Sequence, residues 1–229
     1  MKKKVRGQTT DQTYEHIRSR ILDHKLQPGA KLGSLDLAND LKISRTPIRQ
    51  ALERLVQEGF VVKTPSRGYF VAEMGIKEVE ELYEVRLALE LHSLEVAMQH
   101  QISDREIARI EEIQKRYRAL TEDQTVITRA PVDVEFHLAL ASLSRNDYTV
   151  KLLKELNDRL RFRRRYDGYW LWRLRGERGH DAANEHTRII DAIKSRDAEG
   201  AVMELRNHIQ MAWKNYRQFL HALEASQGS

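Results

Sequence analysis

Asp133 and His137 stand four positions apart in a chain of 229 residues, so on a helix both side chains project from one face like the jaws of a clamp. Two more histidines lie in later segments of helical periodicity: His186 within Asn184-Glu185-His186-Thr187 and His208 within Arg206-Asn207-His208-Ile209. Three imidazoles and one carboxylate suit a borderline divalent ion such as Zn²⁺, Ni²⁺, Mn²⁺ or Fe²⁺. An Asp-x-x-x-His pair also arises often by chance, and a lone histidine on an apolar helix is as a rule a core or surface residue. Spacing alone leaves both readings open.

A different chemistry is concentrated in residues 44 to 55, Ser-Arg-Thr-Pro-Ile-Arg-Gln-Ala-Leu-Glu-Arg-Leu. Ser44 suits an N-cap and Pro47 a first helical turn. Ile48, Ala51, Leu52 and Leu55 recur at i, i+3, i+4 and i+7, the stripe that a helix turns toward a core. Arg45, Thr46 and Arg49 gather at the exposed N-terminal end. There a recognition helix offers side chains to base edges and phosphates in a major groove. These twelve residues read as a helix that reads DNA.

The surrounding elements must position that helix. Tyr14, Ile17, Ile21 and Leu22 predict a first helix that stops near Pro28-Gly29, and residues 35 to 41 a short second one. Lys42-Ile43 makes a tight turn into Ser44, and Gly59 is placed to end the recognition helix in the left-handed conformation. Phe60 to Lys63 and Tyr69 to Val71 predict two strands around Pro65-Ser66-Arg67-Gly68, a hairpin whose basic tip could reach a minor groove or a phosphate. Three helices and a β-hairpin make a winged helix-turn-helix, assigned to residues 10–74 behind a basic arm, residues 1–9, that carries Lys2, Lys3, Lys4 and Arg6.

Past the linker Glu73-Met74-Gly75 the periodicity is helical throughout, and residues 76–223 predict a bundle of about six helices ahead of a tail, 224–229. The stripes run over residues 79–96, 107–117, 132–143, 152–172, 186–193 and 201–223, and Ser103-Asp104-Arg105-Glu106 reads as a capping box. Pro131 predicts a break, and Gly168, Gly176, Gly179 and Gly200 weaker ones. The fold class is therefore mainly α. Arg161, Arg163, Arg164 and Arg165, interleaved with Tyr166, Tyr169, Trp170 and Trp172, form a second basic and aromatic concentration. Such a mixture can stack on single-stranded nucleic acid, but here it reads better as bundle core or subunit contact.

Charge is unevenly shared. Residues 1 to 72 hold 14 Lys and Arg against 7 Asp and Glu, net +7; the remainder holds 25 against 27, net −2. One half is thus suited to a polyanion and the other to a different task. With no cysteine, disulfides and thiolate metal sites are excluded. No apolar run approaches the roughly 18 residues that span a bilayer, and no signal-peptide stretch follows the basic start, so a cytoplasmic, nucleoid-associated protein is expected.

Leu26-x-Pro28-Gly29-x-x-Leu32, then Ser44-Arg45-Thr46-Pro47-Ile48-Arg49-Gln50-Ala51-Leu52, then Pro65-x-Arg67-Gly68 occur in this order. Together they resemble the DNA-binding domain of bacterial transcription regulators of the GntR type, FadR branch. The resemblance implies DNA contacts from Ser44, Arg45, Thr46 and Arg49 on the recognition helix and from Arg67 and Gly68 on the wing. Leu35 departs from the pattern, because the family often has a basic residue there. In the second half the likeness is to the FCD ligand-binding domain, many members of which hold a metal through Asp-x-x-x-His and two later histidines. Asp133, His137, His186 and His208 match that pattern residue by residue.

From the likeness follow further expectations. The protein is a homodimer on a palindromic double-stranded operator, a repressor by default, and no enzyme. A small carboxylate effector coordinates the metal and pairs with an arginine, for which Arg86 is the leading candidate; a surface Arg86 pairing with Glu90 at i+4 is the competing reading. A metal that is purely structural, or is itself the signal, is an alternative. A metal-dependent enzyme with Glu135 or Glu185 as base is a remote one.

Overall fold

The computed structural model describes residues 10–23, 25–120, 126–174 and 182–227, with side chains at all of these except 126–128, 164–174 and 222–227. The basic arm, Gly176 and Gly179, and the side chains of Arg164, Arg165, Tyr166, Tyr169, Trp170 and Trp172 lie outside the described set. The chain forms two compact units, divided between Met74 and Gly75.

In the first unit, α1 (Thr10–Leu22), α2 (Ser34–Leu41) and α3 (Arg45–Gln57) are followed by β2 (Val61–Thr64) and β3 (Gly68–Val71), with β1 (Lys31–Leu32) between α1 and α2. The stripe Ile48, Ala51, Leu52 and Leu55 is fully buried, against Ile17 and Ile21 of α1. α3 ends in a Schellman motif: Phe60 N donates to Leu55 O and Gly59 N to Val56 O, and Gly59 takes φ +77°. That positive φ is what a Cβ-free residue supplies without strain. At the hairpin tip Arg67 N donates to Thr64 O, Pro65 fills the second turn position and Ser66 takes φ +63°, as a type II turn requires. The hairpin gains a third strand that periodicity did not reveal. β1 pairs antiparallel with β3, giving the order β1-β3-β2.

The second unit is helical among the described residues: α4 (Ile76–Met98), α5 (Asp104–Ala119), α6 (Val126–Ser142), α7 (Asp147–Leu174), α8 (Ala182–Lys194) and α9 (Ala198–Gln227). Ser103 and Glu106 form the capping box at the start of α5, each taking the other's backbone N–H. The predicted break at Pro131 is corrected. The residue lies inside α6, in its second turn, where a proline deletes one backbone bond and the rest of the helix persists. Likewise α7 runs through Gly168 and α9 through Gly200. α4 packs on α6, α7 and α9, while α5 packs on α6 and α8. Phe136, Leu153, Ile189 and Leu205 are buried where these helices meet. No helix among the described residues is long and apolar enough to cross a membrane.

Candidate metal centre and nucleic-acid interface

α6 contributes Asp133 and His137, α8 contributes His186 and α9 contributes His208. Their ligand atoms all lie within 4.8 Å of one another. His137 Nε2 is 3.1 Å from His208 Nε2, and Asp133 Oδ1 is 3.5 Å from His186 Nε2 and 3.9 Å from His137 Nε2. The three imidazoles are at most 3 % exposed; the Asp133 side chain is 17 % exposed and forms the wetter edge.

The other ring nitrogens decide what this cluster can hold. His137 Nδ1 meets Glu90 Oε2 at 2.6 Å, and His208 Nδ1 meets Glu185 Oε2 at 2.7 Å. Ionised carboxylates only accept, so both Nδ1 atoms carry the proton. His186 Nδ1 meets Gln114 Oε1 at 3.0 Å, and the Gln114 amide orientation is set because its Nε2 donates to Ala183 O at 2.5 Å. Nδ1 is therefore the donor here too. All three Nε2 atoms are left with lone pairs converging on one point beside a carboxylate. Neighbouring ligands held about 2.0–2.2 Å from a common ion stand roughly 3.0–3.5 Å apart, and the His137–His208 and Asp133–His186 pairs lie in that range, so the chemistry of the donor set suits a cation. The charges agree: with the carboxylates ionised, Asp133, Glu90, Glu185 and Arg86 sum to −2, which a divalent ion offsets.

Burial pushes the His208 imidazole down to about 4 against the pull of its Glu185 hydrogen bond, so it is neutral and ready to ligate at neutral pH. Burial alone would raise Glu90, but Arg86 and His137 hold its carboxyl down to about 2. Phe136 stacks on His186 at 3.8 Å between ring centroids, with Tyr117 at 5.0 Å, which fixes the imidazole plane.

Arg86 is not the surface arginine of the competing reading. It does pair with Glu90, Nε donating to Oε1 at 2.6 Å, but it is 1 % exposed and the largest fully buried side chain described. Its guanidinium also lies over the Tyr83 ring, 6.0 Å from the centroid. Glu135 is drawn to Arg116 at 2.6 Å, whereas Glu185 supports a histidine. Gln114 was missed in the sequence. Its only signal is a polar residue inside the stripe Ile110, Ile113 and Tyr117.

In the first unit Ser44, Arg45, Thr46 and Arg49 are exposed at the start of α3, as is Arg67 at the hairpin tip; Gly68 is half-buried with φ +98°. Ser44 occupies the N-cap position, but its hydroxyl makes no capping bond. Arg45 and Arg49 share a helix face. Glu53, one turn further along α3, accepts from Lys63 Nζ of β2 and Tyr69 OH of β3, both at 2.6 Å. Leu35 is exposed on α2.

Residues 9–71 match the family described as bacterial regulatory proteins, gntR family, and residues 81–211 match the FCD domain. The Nta operon transcriptional regulator of Aminobacter aminovorans is 30% identical over 209 residues, 90% of this chain and 91% of that protein. The solved structure of E. coli McbR/YncC superposes with a TM-score of 0.72 at 22% identity, over 92% of this chain and 98% of the other. A GntR regulator from Rhodococcus sp. RHA1 gives 0.72 at 25% identity, over 93% and 98%.

Proposed function

The chain belongs to the gntR family of bacterial regulatory proteins, and on that premise we propose that it is a repressor whose hold on a palindromic operator is set by a small organic acid bound at a divalent metal ion. The family's members are transcription regulators that bind DNA, and they are not enzymes. The observation that carries the metal reading is the locking of three Nδ1–H groups onto Glu90, Gln114 and Glu185, which turns three Nε2 lone pairs toward Asp133. Zn²⁺, Ni²⁺, Mn²⁺ and Fe²⁺ all accept such donors. An ion bound there would supply open coordination positions for a carboxylate. Arg86, buried and bound to Glu90 through Nε, supplies the planar fork that a carboxylate matches.

On the DNA side, Arg45, Thr46 and Arg49 enter the major groove, while Arg67 and Gly68 follow the backbone beside it. A homodimer places two such helices one duplex turn apart. The acid then acts by favouring one of two spacings of the readers, and the coupling runs equally in both directions. The protein works in the cytoplasm, where its operator is.

The deciding measurement is metal content by elemental mass spectrometry on protein purified without chelator or affinity metal, beside His208→Ala. One ion per chain, lost in the variant, supports the site; no ion in either, even after incubation with Zn²⁺, Ni²⁺ and Mn²⁺, refutes it. Operator affinity of the loaded protein is then followed across a panel of carboxylates, using duplexes selected from a random pool. Indifference to every acid, with release on chelation alone, would point instead to a metal sensor. The deep burial of the imidazoles is the observation that favours that second reading.

A further inference from the structure

Glu90 is outside the four-residue donor set, yet it grips two groups that matter to the site. Oε2 accepts from His137 Nδ1 and Oε1 accepts from Arg86 Nε, both at 2.6 Å. All three side chains are buried to within 2 % of complete. Resting on the metal reading above, we infer that Glu90 is a positioning residue that makes His137 a metal ligand and passes the ion's charge on to Arg86.

The chemistry runs through one carboxylate. A carboxylate on Nδ1–H fixes the tautomer and raises the basicity of Nε2, the atom that faces the ion. An ion on Nε2 draws electron density from the ring, so Nδ1–H becomes a stronger donor and claims more of Glu90's charge. The Arg86 guanidinium is then less completely offset, and it attracts a second anion more strongly. By linkage, an anion on Arg86 strengthens ion binding by the same factor. The other supporting residues differ from Glu90: Gln114 carries no charge to pass on, and Glu185 lies at the edge of an open surface hollow, also lined by Arg188 and Lys214, where solvent screens its charge.

Two single variants of the full chain separate this role from a structural one, because they have opposite signs. Glu90→Gln keeps the shape and an acceptor oxygen but removes the charge. Its Zn²⁺ affinity, read by competition with a chromophoric chelator, should fall about 10- to 100-fold. Arg86→Met removes a positive charge close to the ion and leaves the carboxylate. It should bind Zn²⁺ more tightly than wild type, even though its metal-free form melts lower for want of a partner to a buried charge.

A merely structural role would weaken both in step with their melting temperatures, and that result overturns the inference. So does a folded Glu90→Gln with wild-type Zn²⁺ affinity. Should Arg86→Met not fold, the double variant removes the buried pair as a unit. It should fold and keep the Glu90→Gln deficit, and recovery of wild-type affinity in it overturns the inference. Wild-type protein that takes up no ion refutes the metal reading and this inference with it, an outcome distinct from any selective effect of Glu90.

Discussion

Gln114→Leu tests the reasoning about tautomers at a residue that no metal would touch. The substitution keeps most of the side-chain volume and removes three hydrogen bonds: Nε2 to Ala183 O, Nε2 to Thr187 Oγ1, which still accepts from Arg118 Nη2 at 2.9 Å, and His186 Nδ1 to Oε1. Ala183 O still accepts from Thr187 Oγ1 at 3.0 Å, so the cost falls on His186. Its ring is wholly buried, and an Nδ1–H stripped of its acceptor costs about 1–3 kcal/mol. For a unit of this size each kcal/mol is about 2–4 °C of melting temperature. The ring has one escape, transfer of its proton to Nε2, which faces Asp133 Oδ1 at 3.5 Å. That repair removes the lone pair a cation needs. Zn²⁺ affinity should therefore drop by about 10- to 100-fold, or about 1.4–2.8 kcal/mol. Chelator competition gives the affinity, melting of the metal-free form gives the stability, and nitrogen NMR of the imidazoles reports the tautomer. A variant that keeps His186 in the Nδ1–H form and binds Zn²⁺ like wild type would refute the argument.

Three other outcomes are expected. Arg49→Ala, altering an exposed side chain, should cost about 1–3 kcal/mol of operator affinity if it makes a bidentate base contact; fluorescence anisotropy would show this at unchanged melting temperature, and an unchanged affinity would remove Arg49 from the reading set. Gly59→Ala forces a Cβ into φ +77° and should lower stability by about 1–2 kcal/mol, measured by urea unfolding. Leu52→Ala empties a fully buried position and should cost about 2–5 kcal/mol. Because its contacts lie within the first compact unit, calorimetry should show that unit melting early while Zn²⁺ uptake by the second persists.

Local rules made much of this fold legible. The stripe of α3, its glycine terminator and the Ser103–Glu106 box each depend on residues within a few positions, and all appear as expected. β1 was invisible because two residues carry no periodicity; it exists by pairing with β3, nearly forty positions on. Pro131 misled because the packing of α6 against α4, α5 and α7 outweighs both the lost backbone bond and the clash of the ring with the preceding turn. At the candidate site, four residues of suitable type were visible, and the structure brings them together. Their supports were not equally visible. Glu90 was seen as the i+4 partner of Arg86, but its burial depends on α6, α7 and α9 covering α4. Gln114 meets His186 across 72 positions, and no spacing rule reaches that far.

Glu53 joins α3 to both long strands of the hairpin through Lys63 and Tyr69, so helix and wing form one rigid stylus rather than two independent fingers. A stylus that cannot flex has little room to follow an operator whose halves are displaced. In the proposed dimer, one inserted base pair turns one half-site by roughly 34–36° about the duplex axis, and neither reader can absorb that rotation by bending at the wing. The spacer between half-sites then carries as much of the address as the bases themselves. Two promoters with identical half-sites and spacers one pair different would be, to this protein, different genes.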